Sequence, residues 1–355
     1  MSESEAASLF DSFCDQAAGR PMAVACRDDA AGLAAAEMAR RWFAERGQGP
    51  ITILTPGKAE LLTGARLAER VRGTGARALL ALDLGAGDEC VAADCPTLQI
   101  DVHRHAPDLK APIIEPPSPD AARPAGVVLY DLLQRLGPVT GLEWLAAIAA
   151  EAGHPKAALP APQEAGKSYA RTALREVQVL LNSGCRDREQ AVGPALVLLA
   201  RSDGPEDFLA GESSELERLR MARTAVMQAV AQWSHHRPYF MWRVALVPMA
   251  SASRIEDILA AMWARQLANY MIVAANSGYV VGKVHVVARS DSPKRDLLRL
   301  LDKTAPTELE RPFAVGRPDY VEAVLPTDAW ERMLAGMRFR APNKLIPHLP
   351  QPSLF

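Results

Sequence analysis

The sequence predicts an α/β protein, and three observations carry that reading. Short apolar runs at 22–26, 51–55, 77–83 and 97–101 alternate with helical segments at about 32–46 and 58–72. Runs of this kind are expected of strands covered on both faces. Strands separated by helices build parallel βαβ units with right-handed crossovers. The third observation is where these strands end. Ala78 to Asp83 and Thr97 to Asp101 finish in acid, and Met22 to Cys26 passes through Arg27-Asp28-Asp29-Ala30-Ala31-Gly32 into an Ala-rich helix. Carboxylates at the carboxyl ends of neighbouring parallel strands converge on one crevice.

The elements follow in order. From Ala111 to Pro124 the chain holds Pro116-Pro117 and Pro119, and proline, which fixes φ and removes a donor, marks a loop. Helices resume at about 125–136 and 141–152, and a second proline-bearing loop runs from His154 to Gly166. The middle reads as helical. Ser214-Glu215-Leu216-Glu217 fits a capping box, followed at helical spacing by Leu216, Leu219, Val226, Val230 and Trp233, a packing face. Strands are expected at 239–247, 270–275 and 279–288, with helices near 253–267, 292–302 and 327–336. Residues 341–355 lack helical periodicity and read as an extended tail. The expected organisation is an α/β domain over 1–160, a helical connector over 161–236, a smaller α/β domain over 237–340 and the tail.

Composition narrows the class. In 355 residues, 49% are hydrophobic and 23% charged, ordinary for a globular chain. No run of about 20 uncharged apolar residues predicts a membrane span. The acidic start Met1-Ser2-Glu3-Ser4-Glu5 does not read as a secretory signal, so a cytoplasmic location is expected. Cys14, Cys26, Cys90, Cys95 and Cys185 form no C-x-x-C pair and are expected as free thiols. The net charge of −2 excludes a basic coat over the whole chain, but Lys283 to Lys303 holds six basic and three acidic residues. That segment is either solvated surface or a phosphate-contacting face.

The order of motifs resembles the DHH phosphoesterase superfamily, in particular the RecJ-like single-strand exonucleases. The family opens with a strand ending in His-x-Asp-x-Asp-Gly. On that pattern the histidine falls on Arg27, the first aspartate on Asp29 and the second on Ala31. The next family aspartate falls on Asp83, and the Asp-His-His triplet falls on Asp101-Val102-His103. A further acidic position corresponds to Glu151 or to no residue. Leu181-Asn182-Ser183-Gly184-Cys185-Arg186 looks like the asparagine-containing segment of RecJ-like proteins. Val281-Gly282-Lys283 through Arg289-Ser290 looks like the substrate-facing strand of the DHH-associated domain, whose Gly-Gly-His motif would fall near Val315-Gly316-Arg317.

The resemblance implies a metal-dependent site with Asp29, Asp83, Asp101 and His103 as candidate catalytic and ligand residues. It implies a nucleic-acid face with Lys283, Arg289, Ser290, Lys294, Arg295 and Arg317. Two-metal hydrolysis needs oxygen and imidazole ligands around ions roughly 3.5–4 Å apart. Arg27 has no lone pair, Ala31 has no ligand atom and Val102 is apolar. The expectation is a degenerate homologue that binds single-stranded nucleic acid or acts as a scaffold in DNA replication or repair, with no required cofactor. The alternatives are an active manganese- or magnesium-dependent phosphoesterase and a structural protein acting through its tail. His103 and His105 are either a shifted ligand set or a polar loop. The ending Gln351-Pro352-Ser353-Leu354-Phe355 resembles the short bacterial motif that docks on the DNA sliding clamp, with Gln351, Leu354 and Phe355 as partner-binding residues.

Overall fold

A computed structural model describes residues 2–62, 64–85, 94–101, 112–114, 124–151, 168–291, 295–309, 311 and 313–347. The chain divides into two compact units. One comprises Met1–Pro56, Leu62–Cys185 and Ala191–Met221, and the other Gly57–Leu61, Arg186–Gln190 and Ala222–Phe355.

The first unit is built on a five-stranded sheet of β1 (Met22–Cys26), β2 (Ile51–Leu54), β3 (Ala78–Leu82), β4 (Thr97–Ile100) and β5 (Ile113–Ile114). The order is β2-β1-β3-β4-β5 and every pairing is parallel. β1 and β3 are buried along their whole length, as apolar strands covered on both faces must be. β5 corrects the expectation of an uninterrupted loop from Ala111 to Pro124. Two β-branched residues extend the sheet edge, and the preceding Pro112, which has no N–H to give, still accepts from the Gln99 N–H at 3.0 Å.

Helix α1 (Glu3–Ala17) was not expected. Its capping box uses Ser2 and Glu5, and it buries Phe10, Phe13 and Ala17. Helix α2 (Ala30–Glu45) follows β1 and is buried on most of its faces. Glu37, buried on α2, accepts from Arg40 and from Arg41 Nε (2.8 Å). Arg41 also donates to the carbonyls of Leu199 and Ser202, fixing α2 in place. Helix α3 (Gly64–Gly73) starts later than the expected residue 58. Ala59 takes φ 52 and Glu60 accepts from the Gly57 N–H, which together make a turn there. The unit continues with α4 (Ala125–Leu136), α5 (Glu143–Glu151), α6 (Arg171–Arg186), α7 (Val192–Arg201), α8 (Pro205–Leu209) and the first part of α9 (Ser214–Trp233), whose residues from Ala222 belong to the second unit. The residue capping α9 is Ser213, whose hydroxyl accepts from the Leu216 N–H at 3.2 Å, one position earlier than the expected Ser214. Leu216 and Leu219 are buried in the core of the first unit, while Val226, Val230 and Trp233 join a core of the second.

The second unit carries a six-stranded sheet in the order β10-β11-β9-β8-β7-β6. Its strands are β6 (Tyr239–Met241), β7 (Val244–Met249), β8 (Met271–Asn276), β9 (Lys283–Arg289), β10 (Ala314–Arg317) and β11 (Tyr320–Pro326). Only β7 and β8 pair in parallel; the other pairings are antiparallel. The single strand expected over 239–247 is a hairpin, because Trp242 adopts φ 53 and turns the chain. The strand expected over 279–288 begins at Lys283, after a turn with Gly282 at φ 77. Helices α10 (Glu256–Gln266), α11 (Leu297–Thr304) and α12 (Thr327–Gly336) pack on this sheet. The start of the expected extended tail is instead a 3₁₀ turn, Pro342–Leu345, and Leu345 and Ile346 are buried in the unit's core, since their apolar side chains gain by leaving water.

Candidate functional site

In the first unit the sheet order gathers the predicted carboxylates. Cys26 pairs with Leu82, and Leu82 with Ile100, so β1, β3 and β4 end side by side. Asp29, Asp83 and Asp101 lie one to three residues beyond those ends. Neighbouring strands are about 4.8 Å apart, which places the three on one edge of the sheet.

Asp29 is the N-cap of α2. Its Oδ1 accepts from the Gly32 N–H at 2.8 Å, satisfying one of the orphan amides that open a helix. Its Oδ2 accepts from Arg27 Nε at 3.0 Å, and both side chains are about three-quarters buried. Gly32 is required by close approach: a Cβ there would lie 2.3 Å from the Arg27 carbonyl oxygen. Asp28, named in the motif without a role, is buried. The Cys26 thiol is pushed well up, first by burial and then by Asp29, Cys185 and Asp28.

Asp83 sits in the left-handed region at φ 56, and its N–H donates to the Ile100 carbonyl at 2.9 Å. Such a conformation is uncommon outside glycine, although aspartate is one of the residues that tolerates it. Asp101 is 1% exposed, and its Oδ2 accepts from the Gly85 N–H at 2.6 Å. His103 and its neighbour Val102 lie outside the described residues, as does His105. Among the described residues no group of three or more His, Cys, Asp or Glu side chains is arranged to hold a metal ion.

Asn182 is the residue that sequence reasoning left without a site role. It lies on α6, and its Oδ1 accepts from the Ala30 N–H at 3.0 Å, so it satisfies a second amide at the start of α2. The Asn-Ser-Gly segment was visible, but a contact across 152 residues was not.

In the second unit Arg289, Ser290 and Arg317 come together at one end of the sheet, through the register Arg317 to Tyr320 and Tyr320 to Arg289 and the bond from the Ser290 N–H to the Asp319 carbonyl, while Lys283 lies apart. Lys283 and Arg289 occupy opposite ends of β9, a span of roughly 20 Å. Lys283 Nζ donates to the Ala59 carbonyl at 3.1 Å. Arg289 donates through Nε at 3.1 Å to Asp257 on α10, whose other oxygen takes Arg186 Nη2 at 3.1 Å. Arg289 also lies over the Tyr320 ring, 4.6 Å from its centroid. Burial alone would raise the Asp257 carboxyl, but Arg289 and Arg186 hold it below the usual aspartate range. Ser290 is buried, with its N–H donating to the Asp319 carbonyl at 3.0 Å. Arg317 pairs with Asp319 at 3.3 Å, and Arg295 donates to the Ala268 carbonyl at 3.4 Å. The Gly-Gly-His position holds Gly316 at φ 148, where a Cβ would lie 2.2 Å from the Tyr320 carbonyl oxygen. Lys294, Gln351, Leu354 and Phe355 lie outside the described residues.

No family model and no curated protein matches the sequence. Solved structures do match the fold. A crystal structure of exonuclease RecJ bound to manganese aligns with a TM-score of 0.64 at 16% identity, covering 98% of this chain and 97% of that one. RecJ from Thermus thermophilus in complex with Mn2+ also aligns at 0.64, with 17% identity, over 99% of this chain but only 57% of the longer protein. CDC45 from Entamoeba histolytica aligns at 0.50 with 8% identity, over 95% of this chain and 98% of that one. At identities this low the alignments show a shared fold alone. Among the described residues no helix is long and apolar enough to cross a membrane.

Proposed function

We propose that this chain, which has the RecJ-like DHH fold, binds single-stranded nucleic acid and has lost two-metal hydrolysis. The observation that carries this reading is the pairing of Arg27 with Asp29. The RecJ structures that share the fold hold manganese or Mn2+. In this chain the position expected to offer an imidazole offers a guanidinium, which has no lone pair and a permanent positive charge. Asp29 already accepts from Arg27 and from the Gly32 N–H. Ala31 and Val102 contribute no ligand atom. The donor set therefore does not fit a closely spaced pair of cations, and Arg27 supplies positive charge at the strand ends in their stead.

A second reading, an active manganese- or magnesium-dependent phosphoesterase on single-stranded DNA or short oligonucleotides, draws on Asp83. Backbone strain of the kind held there gathers at functional sites. Asp29, Asp83, Asp101 and His103 would be its ligands. The two readings separate in one assay, in which end-labelled single-stranded DNA is incubated with the chain and Mn2+. Retention of the strand without shortening is expected. Metal-dependent shortening that Asp83→Ala abolishes would establish the second reading in place of the first.

The same proposal places the chain in DNA replication or repair, with the sliding clamp as partner. What supports this is the ending Gln351-Pro352-Ser353-Leu354-Phe355, which offers two apolar side chains and one amide on a proline-restricted segment. Removal of 351–355 should abolish clamp binding; equal binding by both forms would make the motif accidental.

A further inference from the structure

The β6–β7 hairpin displays an unusual set of aromatic side chains. It turns through Met241-Trp242-Arg243-Val244, with Trp242 at φ 53 and 77% exposed. A left-handed conformation is a true outlier for so bulky a residue. The turn is held by the register Tyr239 to Leu246, Phe240 to Ala245 and Met241 to Val244. Tyr239 and Phe240 are each 51% exposed, so three large aromatics stand in solvent within four positions. Phe240 meets the edge of the Tyr270 ring at 5.1 Å, which steadies its own ring.

Charge along the chain that carries these rings has one sign. Ser234 to Arg243 contains Arg237, Arg243, His235 and His236 and no carboxylate. All four of these side chains are exposed. Arg237 and Arg243 make no ion pair among the described residues, whereas Arg186, Arg289, Arg311, Arg317 and Arg332 of the same unit are all paired. Arg295 adds to the same end of the sheet, since it reaches Ala268, two residues before Tyr270.

We propose that this hairpin is a base-stacking platform for single-stranded nucleic acid. Phe240 and Trp242 receive bases, and Arg237 and Arg243 receive phosphates. The proposal rests on the nucleic-acid reading above and gives it an address at the end of the sheet opposite Lys283, in the cross-strand row that runs from Phe240 through Ala245 and Ile272 to Arg289. Aromatic faces beside unpaired cations are how single strands are held without sequence preference, because every base has a π-face. An edge strand also invites a second copy of the chain. Two identical hairpins carrying arginines and no carboxylate would repel each other, which favours a polyanion as the occupant.

The test uses the full chain and the fluorescence anisotropy of a labelled oligothymidylate and of an abasic strand of equal length. The wild type is expected to bind the oligothymidylate more tightly than the abasic strand. Trp242→Ala and Phe240→Ala are each expected to weaken oligothymidylate binding about tenfold and leave abasic binding unchanged. Trp242→Phe should retain most of the affinity. The wild-type comparison of the two strands needs no variant, so it decides the matter even if an alanine variant misfolds: equal affinity for both overturns stacking. Unchanged oligothymidylate binding by both alanine variants overturns the platform and leaves the nucleic-acid reading standing. Failure of the wild type to bind either strand overturns both. Self-association that Trp242→Ala abolishes while strand binding is unaltered overturns the platform in favour of a second copy.

Discussion

Arg27 lies against Asp29, with its Nε 3.0 Å from Asp29 Oδ2, while the other oxygen of the same carboxylate caps helix α2. One side chain thus serves as helix cap and as counter-ion. Both duties draw on the lone pairs that a metal ligand would have to offer.

The cap makes Asp29 structural whatever else it does. Asp29→Ala should lower stability by about 1 kcal/mol, the usual cost of a lost N-cap, and Asp29→Asn should restore most of it. Urea denaturation of the three proteins checks this. The ion pair with Arg27 is partly exposed and should add little to the difference.

Gly32 is held by sterics rather than by chemistry. A methyl group there would meet the Arg27 carbonyl oxygen at 2.3 Å, and that oxygen belongs to the backbone and cannot swing aside. Gly32→Ala should therefore cost about 1–3 kcal/mol, as overpacking does, and shift the thermal midpoint of the first unit downward.

The second unit contains a buried polar group with a definite pH signature. Glu256 on α10 is buried, accepts from Asn276 Nδ2 at 3.3 Å and lies 3.7 Å from His285 Nδ1. Burial pushes the Glu256 carboxyl up to about 7, against lowering by Arg254 and Asn276. Burial, with Arg254 and Lys283, pushes His285 down to about 3, with Glu322 opposing. Glu256 therefore keeps its proton in the fold below neutrality. Its contribution is complete below its ordinary value of 4.5 and is lost as pH rises to about 7. His285 acts in the opposite sense, losing stability as pH falls from 6.5 toward 3. Glu256→Gln should remove the alkaline loss, worth on the order of 3 kcal/mol at pH 8. Thermal melts from pH 5 to 8 should converge at the acid end and separate at the alkaline end; parallel curves would contradict this.

Salt provides a separate check on the basic residues. Binding of a single strand should weaken linearly in log–log form, with each phosphate contact adding about 0.7 to the slope. Arg243→Ala should reduce the slope by about that amount. Arg289→Ala should reduce it less, because that guanidinium is already engaged by Asp257 and Tyr320.

Much of the first sheet was legible because its strands are short and mostly apolar, and β3 and β4 run straight into acid. Asp83 and Asp101 were found from those endings, and β1 and α2 from an apolar run meeting an Ala-rich one. Helix α1 was missed although Ser2 and Glu5 spell a capping box, because the acidic start was read for charge alone. The turn at Trp242 was invisible because nothing in the residue types forecasts a tryptophan at positive φ. β10 and β11 were not expected: β10 is only four residues long, and the alternation that marks a strand is confined to Tyr320–Pro326, whose burial alternates residue by residue. The pairing of Ala30 with Asn182 and the Asp257 bridge between Arg186 and Arg289 depend on tertiary approach, which local pattern does not encode.

Manganese titration followed by electron paramagnetic resonance, with the same samples assayed on labelled single-stranded DNA, tests the central claim most directly. The account predicts that the wild type shows no exchange-coupled pair of ions and leaves the strand intact, while still binding it. A spin-coupled manganese pair, with strand shortening that disappears in Asp83→Ala or Asp101→Ala, would contradict it.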